Sequence, residues 1–344
     1  MSPIAAAPPR ADHAQAVGLA LLLSALLLAV SLGAVSISPG QLLTAPLARL
    51  GLTDASSLTP AQEAVLWAIR LPRALLAVGV GGALGLSGAL MQGLTRNPLA
   101  DPGLFGVSSG AALGGAAATV LGGVWSQLGL PVAAIVGGLL AWLGVMAVAR
   151  RDGAAPISTL LLCGVAVSAL ASSATGLLLF IASDEQLRAL TFWTLGSLAG
   201  ASWARALLVL VTLALALTLT ARAARPLNAL LLGEAEAAQL GVPVEALKLA
   251  LTVLVAVLVG LSVAFSGFIG FIGLVVPPLA RLFVGADQRQ VLPLSTILGA
   301  CLLTLADLAA RTLVAPAELP VGVLTALLGG PFFLVRLRAA SPEV

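Results

Sequence analysis

Ten apolar runs, most of them about as long as a lipid bilayer is thick, follow one another along this 344-residue sequence. A helix needs about 20 mainly apolar residues to cross the hydrocarbon core, with a range of roughly 17–25. The sequence therefore predicts about ten membrane-spanning helices. Their approximate bounds are 17–35, 74–94, 103–124, 131–149, 157–182, 204–221, 246–265, 268–284, 291–313 and 320–335. The eighth and tenth runs are short, and Pro277-Pro278 is expected to interrupt the eighth.

The balance of apolar and charged residues agrees with these runs. Hydrophobic residues make up 60% of the chain and charged residues only 9%, whereas soluble domains carry about 25% charged residues. Too few polar side chains are present to cover a soluble surface, which excludes a soluble enzyme and a disordered chain. The net charge of +3 is spread singly between apolar runs, which excludes a nucleic-acid binder. We predict an all-α polytopic membrane protein, with residues 1–344 forming a single transmembrane domain.

The orientation of the chain follows from its basic residues. The first run is about 19 residues long and nine more follow it, which favours an uncleaved helix over a signal peptide. Ten spans place both termini on one side. With that side cytoplasmic, eleven of the 17 Lys and Arg residues lie inside, as the positive-inside rule requires.

The inventory of reactive side chains is small. The chain has no Tyr, one His (His13) and one Lys (Lys248), and its two Cys (Cys163 and Cys301) lie inside apolar runs. These residues cannot assemble a metal site, and Cys in such runs usually acts as a small hydrophobe, so no disulfide is expected. The surroundings of Lys248 do not match a phosphate-binding loop. If ATP drives this protein, another polypeptide must bind it.

Charged residues at the ends of predicted spans have two interpretations. Arg70 and Arg73 are three residues apart and share a helical face, and Arg311 ends the ninth span near Glu318. They are either interfacial side chains reaching for water or a basic docking patch for an acidic partner outside the membrane. Asp307, the one carboxylate well inside a predicted span, is spaced to pair with Arg311. A single paired carboxylate is weak support for an ion-coupled carrier.

The longest predicted cytoplasmic stretch, about residues 222–245, contains a short helix that begins after Gly233 and stops at Gly241. Such a helix lies either on the membrane surface or in a groove on another protein. Its acidic residues, Glu234 and Glu236, argue against an anionic lipid surface and favour a protein partner inside the cell.

Small residues recur in the second and third spans. The pairs Gly81-x-x-x-Gly85 and Gly110-x-x-x-Gly114 allow two helix backbones to approach closely. We expect both pairs to lie at helix–helix contacts.

Several ordered blocks between about residues 60 and 335 resemble the FecCD family, the permease subunits of type II bacterial ABC importers for iron–siderophores, haem and cobalamin. Each block alone is weak, but together, at family spacing, they are specific. The blocks are Arg70-Leu-Pro-Arg73, the run from Ser87 to Gly103 (SGALMQGLTRNPLADPG), Gly106-Val-Ser-Ser-Gly110, the segment from Leu227 to Gly241, the run from Gly267 to Pro277 (GFIGFIGLVVP), and the run from Ala317 to Thr325 (AELPVGVLT).

The resemblance implies a type II ABC importer permease fold with ten helices per subunit, in the bacterial inner membrane with both termini cytoplasmic. It implies two permease subunits, for which a homodimer is expected, around a central pathway. It also implies two cytoplasmic ABC ATPase subunits and a periplasmic substrate-binding protein. This chain would bind no cofactor, because ATP and Mg²⁺ would be bound by the ATPase.

The resemblance also assigns residues. Arg70, Arg73 and Arg311 match arginines that form salt bridges to glutamates of the binding protein, and the start of the fifth span, Ile157 and Ser158, matches the cytoplasmic gate. The coupling segment that enters the ATPase would include Asn228, Gly233, Glu234, Ala238, Leu240 and Gly241. Pro278 and Gln288 stand where many members have His, so no role of those histidines carries over.

The predicted function is ATP-driven import of an iron chelate by alternating access. Haem is the favoured substrate, because residues 191–203 look more like haem importers than cobalamin importers. Ferric-siderophore and cobalamin import remain alternatives. An ion-coupled secondary transporter and an integral membrane enzyme are hypotheses of other classes, and the few polar groups in the spans disfavour both.

Overall fold

The computed structural model describes residues 10–33, 35–49, 58–122, 126–149 and 157–340, and every regular element in these ranges is helical. A π-helical turn spans Val65–Arg70, and a 3₁₀ turn spans Pro102–Phe105. The helices are α1 (Arg10–Ser31), α2 (Pro39–Arg49), α3 (Pro60–Ala64), α4 (Leu71–Thr95), α5 (Val107–Leu121), α6 (Ser126–Ala149), α7 (Ile157–Ile181), α8 (Asp184–Thr194), α9 (Trp203–Leu232), α10 (Glu234–Gln239), α11 (Val244–Ser266), α12 (Ile272–Val284), α13 (Gln288–Thr312) and α14 (Val321–Ala340).

Ten apolar helices account for the ten predicted runs. In the part of the chain that the structure describes, seven helical stretches are long and apolar enough to cross a membrane: α1, the continuous α3–α4 helix, α6, α7, α9, α11 and α13. Three shorter apolar helices, α5, α12 and α14, complete the set. The predicted all-helical fold with about ten spans is confirmed.

The centre of the bundle is the contact between α4 and α13. At Gly81 and Gly85 of α4, a methyl group would overlap backbone carbonyl oxygens of α13, so only glycine permits this approach. Gly110 and Gly114 of α5 pack against α6 in the same way. Both predicted glycine pairs therefore lie at helix–helix contacts. Among the spans, α4 is the most completely enclosed by protein.

Several helix bounds differ from the prediction. The second span belongs to one continuous helix that begins at Pro60, and α9 continues to Leu232, so residues 222–232 are helical and not a loop. The short helices α2, α3 and α8 were not predicted. All three begin with a capping box: Ser38 with Gln41, Thr59 with Gln62, and Ser183 with Gln186. This S/T-x-x-Q signature was the signal in the sequence.

The expected break at Pro277-Pro278 was wrong. α12 runs through both prolines, and the non-helical segment is residues 267–271, just before it. Two prolines remove the N–H groups that would bond the carbonyls of Gly273 and Leu274, four residues earlier. The side-chain amide of Gln92 on α4 donates to both carbonyl oxygens instead, at 3.3 and 3.4 Å. A neighbouring helix thus completes the hydrogen bonding of α12.

Candidate functional site

Arg73 lies between two carboxylates at the end of the bundle where α4 begins and α13 ends. Its Nε and Nη2 contact Asp307 Oδ1, each at 2.9 Å, and its Nη1 and Nη2 contact the two oxygens of Glu318 at 3.0 and 2.9 Å. This fork geometry is the strongest form of an Arg–carboxylate pair. Asp307 is 2% exposed at its side chain and Glu318 is 44% exposed, so one carboxylate is internal and the other is reachable from solvent.

Arg70 and Arg311 bind the last turn of α1. Arg70 Nη1 donates to the carbonyls of Val30 and Ser31 at 2.7 and 2.9 Å, and Arg311 Nη2 donates to the carbonyl of Ala29. The final carbonyls of a helix lack partners within it and carry its partial negative charge, so guanidinium groups stabilise this end. Neither interpretation of the sequence, interfacial or docking, included this capping role.

The three arginines and two carboxylates form one group, which we call the arginine cluster (Arg70, Arg73, Asp307, Arg311 and Glu318). Arg311 Nε approaches Asp307 Oδ2 at 3.7 Å, so the predicted local pair exists, but Arg73 is the closer partner. The docking prediction needs reachable guanidinium groups, and within this chain Arg70 and Arg73 are 4% and 6% exposed. Arg311 lines a groove of about 620 Å³ between the ends of α1 and α13. The structure thus brings the predicted docking residues together and covers most of their surface.

The predicted coupling segment is a short helix held between two spans. Gly233 is buried with φ +145°, a conformation that favours glycine, and it separates α9 from α10. Lys248 of α11 binds Glu234 at 2.8 Å and ties α10 to that helix. Ala238 and Leu240 are exposed, and 66% of Leu240 is uncovered. An exposed leucine beside exposed alanine is a surface that another protein can cover. Gly241, with φ +82°, ends the segment.

Asn228 points into this chain. Its Nδ2 donates to Asp287 Oδ1 at 2.7 Å, and its Oδ1 accepts from the backbone N–H of Gln288 at 2.8 Å. Asp287 is the N-cap of α13, and its side chain also accepts from the backbone N–H of Arg289. Asn228 of α9 therefore completes the N-terminus of α13, about 60 residues further along the chain.

Asp287 stays ionised at cellular pH. Hydrogen bonds from the Arg289 guanidinium, and then from Asn228, lower the pKa of Asp287 to about 2 against partial burial. A carboxylate whose pKa is lowered by folding contributes stability above its unfolded pKa and loses it only as the pH falls towards 2. The contact between Asn228 and Asp287 is therefore constant across the physiological range.

The predicted gate lies at the start of a described helix. α7 begins at Ile157, whose side chain lies outside the described part of the structure, and Ser158 is exposed in the first turn. The seven residues before Ile157 are also outside the described ranges. The gate assignment stays a prediction.

This chain is similar in sequence to known membrane transport proteins. Residues 21–339 match the FecCD transport family. The chain belongs to this family. The FecCD chain is 49% identical to the hemin transport system permease protein HmuU of Yersinia pestis over 269 residues, covering 77% of this chain and 80% of that protein. It is 41% identical to the vitamin B12 import system permease protein BtuC of Escherichia coli over 322 residues, covering 93% of each.

Solved structures agree with the family assignment. A metal-chelate type ABC transporter in an inward-facing conformation aligns with a TM-score of 0.84 and 33% identity over 95% of this chain and 99% of that one. PsaBC from Streptococcus pneumoniae shares the fold alone, with a TM-score of 0.55 and 20% identity over 76% of this chain and 88% of that one. The FecCD chain is thus a multi-pass permease of a metal-chelate, haem or cobalamin type ABC importer.

Sequence reasoning missed the partners of the charged residues. Arg73 and Asp307 are 234 residues apart in the chain, and Asn228 and Asp287 are 59 apart. Local spacing predicts pairs within a helix and carries no signal for pairs between helices so distant in sequence. The Asp287-Gln288-Arg289 sequence did carry the signal of a helix N-cap, and this signal could have been used.

Proposed function

We propose that this FecCD chain is the membrane subunit of an ATP-driven importer that carries haem across the bacterial inner membrane, with both termini in the cytoplasm. The observation that carries the choice of haem is the higher identity to the hemin permease, 49% against 41% for the vitamin B12 permease. The wider coverage of the vitamin B12 permease, 93% of this chain, favours cobalamin as the second candidate. The chain needs no catalytic group or cofactor of its own, because a separate ABC ATPase subunit binds ATP and Mg²⁺.

Transport would proceed by alternating access in a complex of two copies of this chain, two ATPase subunits and one periplasmic binding protein. The exposed side of α10, with Ala238 and Leu240, supports contact with the ATPase. With no Tyr and one His in the chain, direct ligation of haem iron by the pathway has little support. An already chelated ligand would pass without coordination, and the binding protein would select it.

The charge balance of the arginine cluster supports docking of an acidic partner. Three guanidinium groups face two carboxylates, which leaves one positive charge in excess. The α1 carbonyls offset part of this excess, and a carboxylate from a binding protein would complete the balance. Glu318 already occupies the reachable side of Arg73. A docking carboxylate would therefore compete with Glu318 for the same guanidinium.

The main test is uptake by proteoliposomes that contain this chain, its ATPase and its binding protein. Haem, a ferric siderophore and cobalamin are offered in parallel, with and without ATP. We expect ATP-dependent uptake of haem alone. ATP-dependent uptake of another chelate would replace haem as the substrate, and uptake driven by an ion gradient without ATP would contradict the whole proposal.

The proposed competition between Glu318 and a docking carboxylate for Arg73 predicts how Glu318 affects the affinity for the binding protein. Glu318→Gln keeps the shape of the side chain and removes its charge, so we expect tighter binding of the binding protein, by about two- to fivefold in Kd at low salt. The matched control is Glu185→Gln, which removes an exposed carboxylate on α8 at the same end of the molecule. Surface plasmon resonance against ionic strength measures both. Equal affinities for the two variants would contradict competition at Arg73.

A further inference from the structure

Asn228 lies in the last two turns of α9, just before the coupling helix α10. Both of its polar atoms are used at the N-terminus of α13, at 2.7 Å to Asp287 Oδ1 and 2.8 Å from the N–H of Gln288. Asn228 is half-buried, and both ends of its amide are turned towards α13.

Two sets of polar contacts are placed to transmit a displacement of the coupling helix to other helices of this chain. On one side, Lys248 binds Glu234 and Glu245, at 2.8 and 2.9 Å, and all three lie close together along residues 234–248. On the other side, Asn228 reaches a helix that is distant in the sequence. Only the second of these polar contacts connects the segment to α13.

α13 connects the two ends of the bundle. Its 25 residues extend about 38 Å. Beyond its internal Pro293, from Ser295 to Leu303, close backbone contact with glycines of α4 leaves this helix little room for bending. The far end of α13 carries Asp307 and Arg311, two members of the arginine cluster. One helix therefore joins the coupling segment to the predicted docking site.

We propose that the Asn228–Asp287 contact is a mechanical joint, and that Asn228 is a positioning residue that passes movement of the coupling helix to α13 and so to the arginine cluster. This inference rests on the proposed function. It predicts that the joint is needed for a docked binding protein to stimulate the ATPase.

The test exploits the chemistry of the pair. Asn228→Asp places a second carboxylate next to that of Asp287 and removes the Nδ2 donor. Asn228→Leu removes both polar atoms at similar volume. Asp287→Ser removes the carboxylate from the other side of the contact. Serine is a good N-cap, so the N–H of Arg289 keeps an acceptor, whereas the shorter side chain offers Asn228 no carboxylate. If both residues act through their contact, the double variant Asn228→Leu/Asp287→Ser loses no more than either single variant.

The variants are purified with the ATPase in nanodiscs, and three quantities are measured: ATPase co-purification, basal ATP hydrolysis, and its stimulation by the binding protein. We expect Asn228→Asp and Asn228→Leu to keep the ATPase and to lose stimulation by about fivefold or more. Asp287→Ser should lose stimulation to a similar extent, and the double variant should lose no more than either single variant. Asp12→Asn, which removes a carboxylate at the same end of the molecule but takes no part in the joint, is the control.

Each result decides the proposal. Normal stimulation in Asn228→Leu, or losses that add in the double variant, overturns the joint while leaving the proposed function intact. If Asn228→Leu does not fold, the same comparison of Asn228→Asp and Asp287→Ser with their double variant still decides. If the unmodified chain retains no ATPase, the proposed function itself fails, and the loss is then seen before any substitution is made.

Discussion

Asp307 is an almost fully buried carboxylate, and the arginines beside it explain how the fold accommodates it. Removing a carboxylate from water costs several kcal/mol unless an opposite charge and hydrogen bonds replace the water. Arg73 supplies three contacts of about 3 Å to Asp307, and Arg311 adds a longer one. Stability at this site therefore depends on Arg73 more than on the other members of the cluster.

The two carboxylates of Arg73 differ in exposure, and this predicts different costs. Arg73→Ala leaves Asp307 buried with a distant partner, and we expect a loss of about 3–5 kcal/mol in the free energy of unfolding. Glu318→Ala removes a partner that is 44% exposed, and we expect about 1 kcal/mol or less. Denaturant unfolding in detergent, followed by Trp fluorescence, measures both. Adding Asp307→Ala to Arg73→Ala should recover part of the loss, and strictly additive costs would contradict a buried pair.

At the residue scale, the sequence predicted which charged residues belong together and missed how they bind. Arg70, Arg73 and Arg311 were grouped by their position at span ends and by resemblance, and they do meet. The spacing rule for helices gave the Asp307–Arg311 pair. It could not give Arg73 as the nearer partner, because that contact depends on how α4 packs against α13.

Among the elements, α12 depends on a residue outside it. Its two consecutive prolines would leave the carbonyls of Gly273 and Leu274 without donors in an apolar interior, and Gln92 donates to both. Gln92 Oε1 in turn accepts from Arg281 Nη1 at 2.6 Å. One glutamine thus stabilises a helix that its own sequence would interrupt.

Substitutions of Gln92 and of the two prolines test this dependence. Gln92→Met keeps the volume and removes the donor, and we expect a cost of about 1–3 kcal/mol for each uncovered carbonyl. In a Pro277→Ala/Pro278→Ala background, α12 supplies its own N–H groups, so the same substitution should cost much less. Thermal unfolding of the four variants forms the cycle. An equal cost in both backgrounds would show that Gln92 acts in another way.

The sequence predicted an element more reliably the longer its apolar run. The bounds of the ten apolar helices were expected within about five residues, except where the first, second and sixth helices extend further than predicted. The expected break in α12 was wrong because proline was considered without a neighbour able to replace its missing N–H. The short helices α2, α3 and α8 have too little apolar length to be detected as spans.

For the molecule as a whole, α7 is the span with the least protein around it. Its uncovered side carries large apolar side chains, such as Leu170 and Phe180, at 72% and 87% exposure. It also carries small and hydroxyl residues, Ser172, Ser173 and Gly176. A mixture of this kind suits a close helix contact better than lipid, so we predict that α7 meets the second copy proposed above.

Cross-linking tests this arrangement. In a Cys163→Ser/Cys301→Ser background, we expect Gly176→Cys to form a covalent dimer with a short thiol reagent in native membranes, because none of the described residues lies near its added side chain. Leu207→Cys, on the exposed side of α9, should stay monomeric. Equal cross-linking at both positions, or dimers through α9 alone, would contradict a contact through α7.

The pairing of α4 with α13 also determines when, during synthesis, α4 can be enclosed. About 217 residues separate the end of α4 at Thr95 from the end of α13 at Thr312. At a synthesis rate of about 5–20 residues per second, α4 is complete roughly 10–40 s before its main partner leaves the ribosome. During that time Arg73 lacks Asp307 and Glu318, and Gln92 lacks α12. The helix at the centre of the finished bundle is thus among the first made and the last to be enclosed. Until its partners are made, its polar groups stay unpaired.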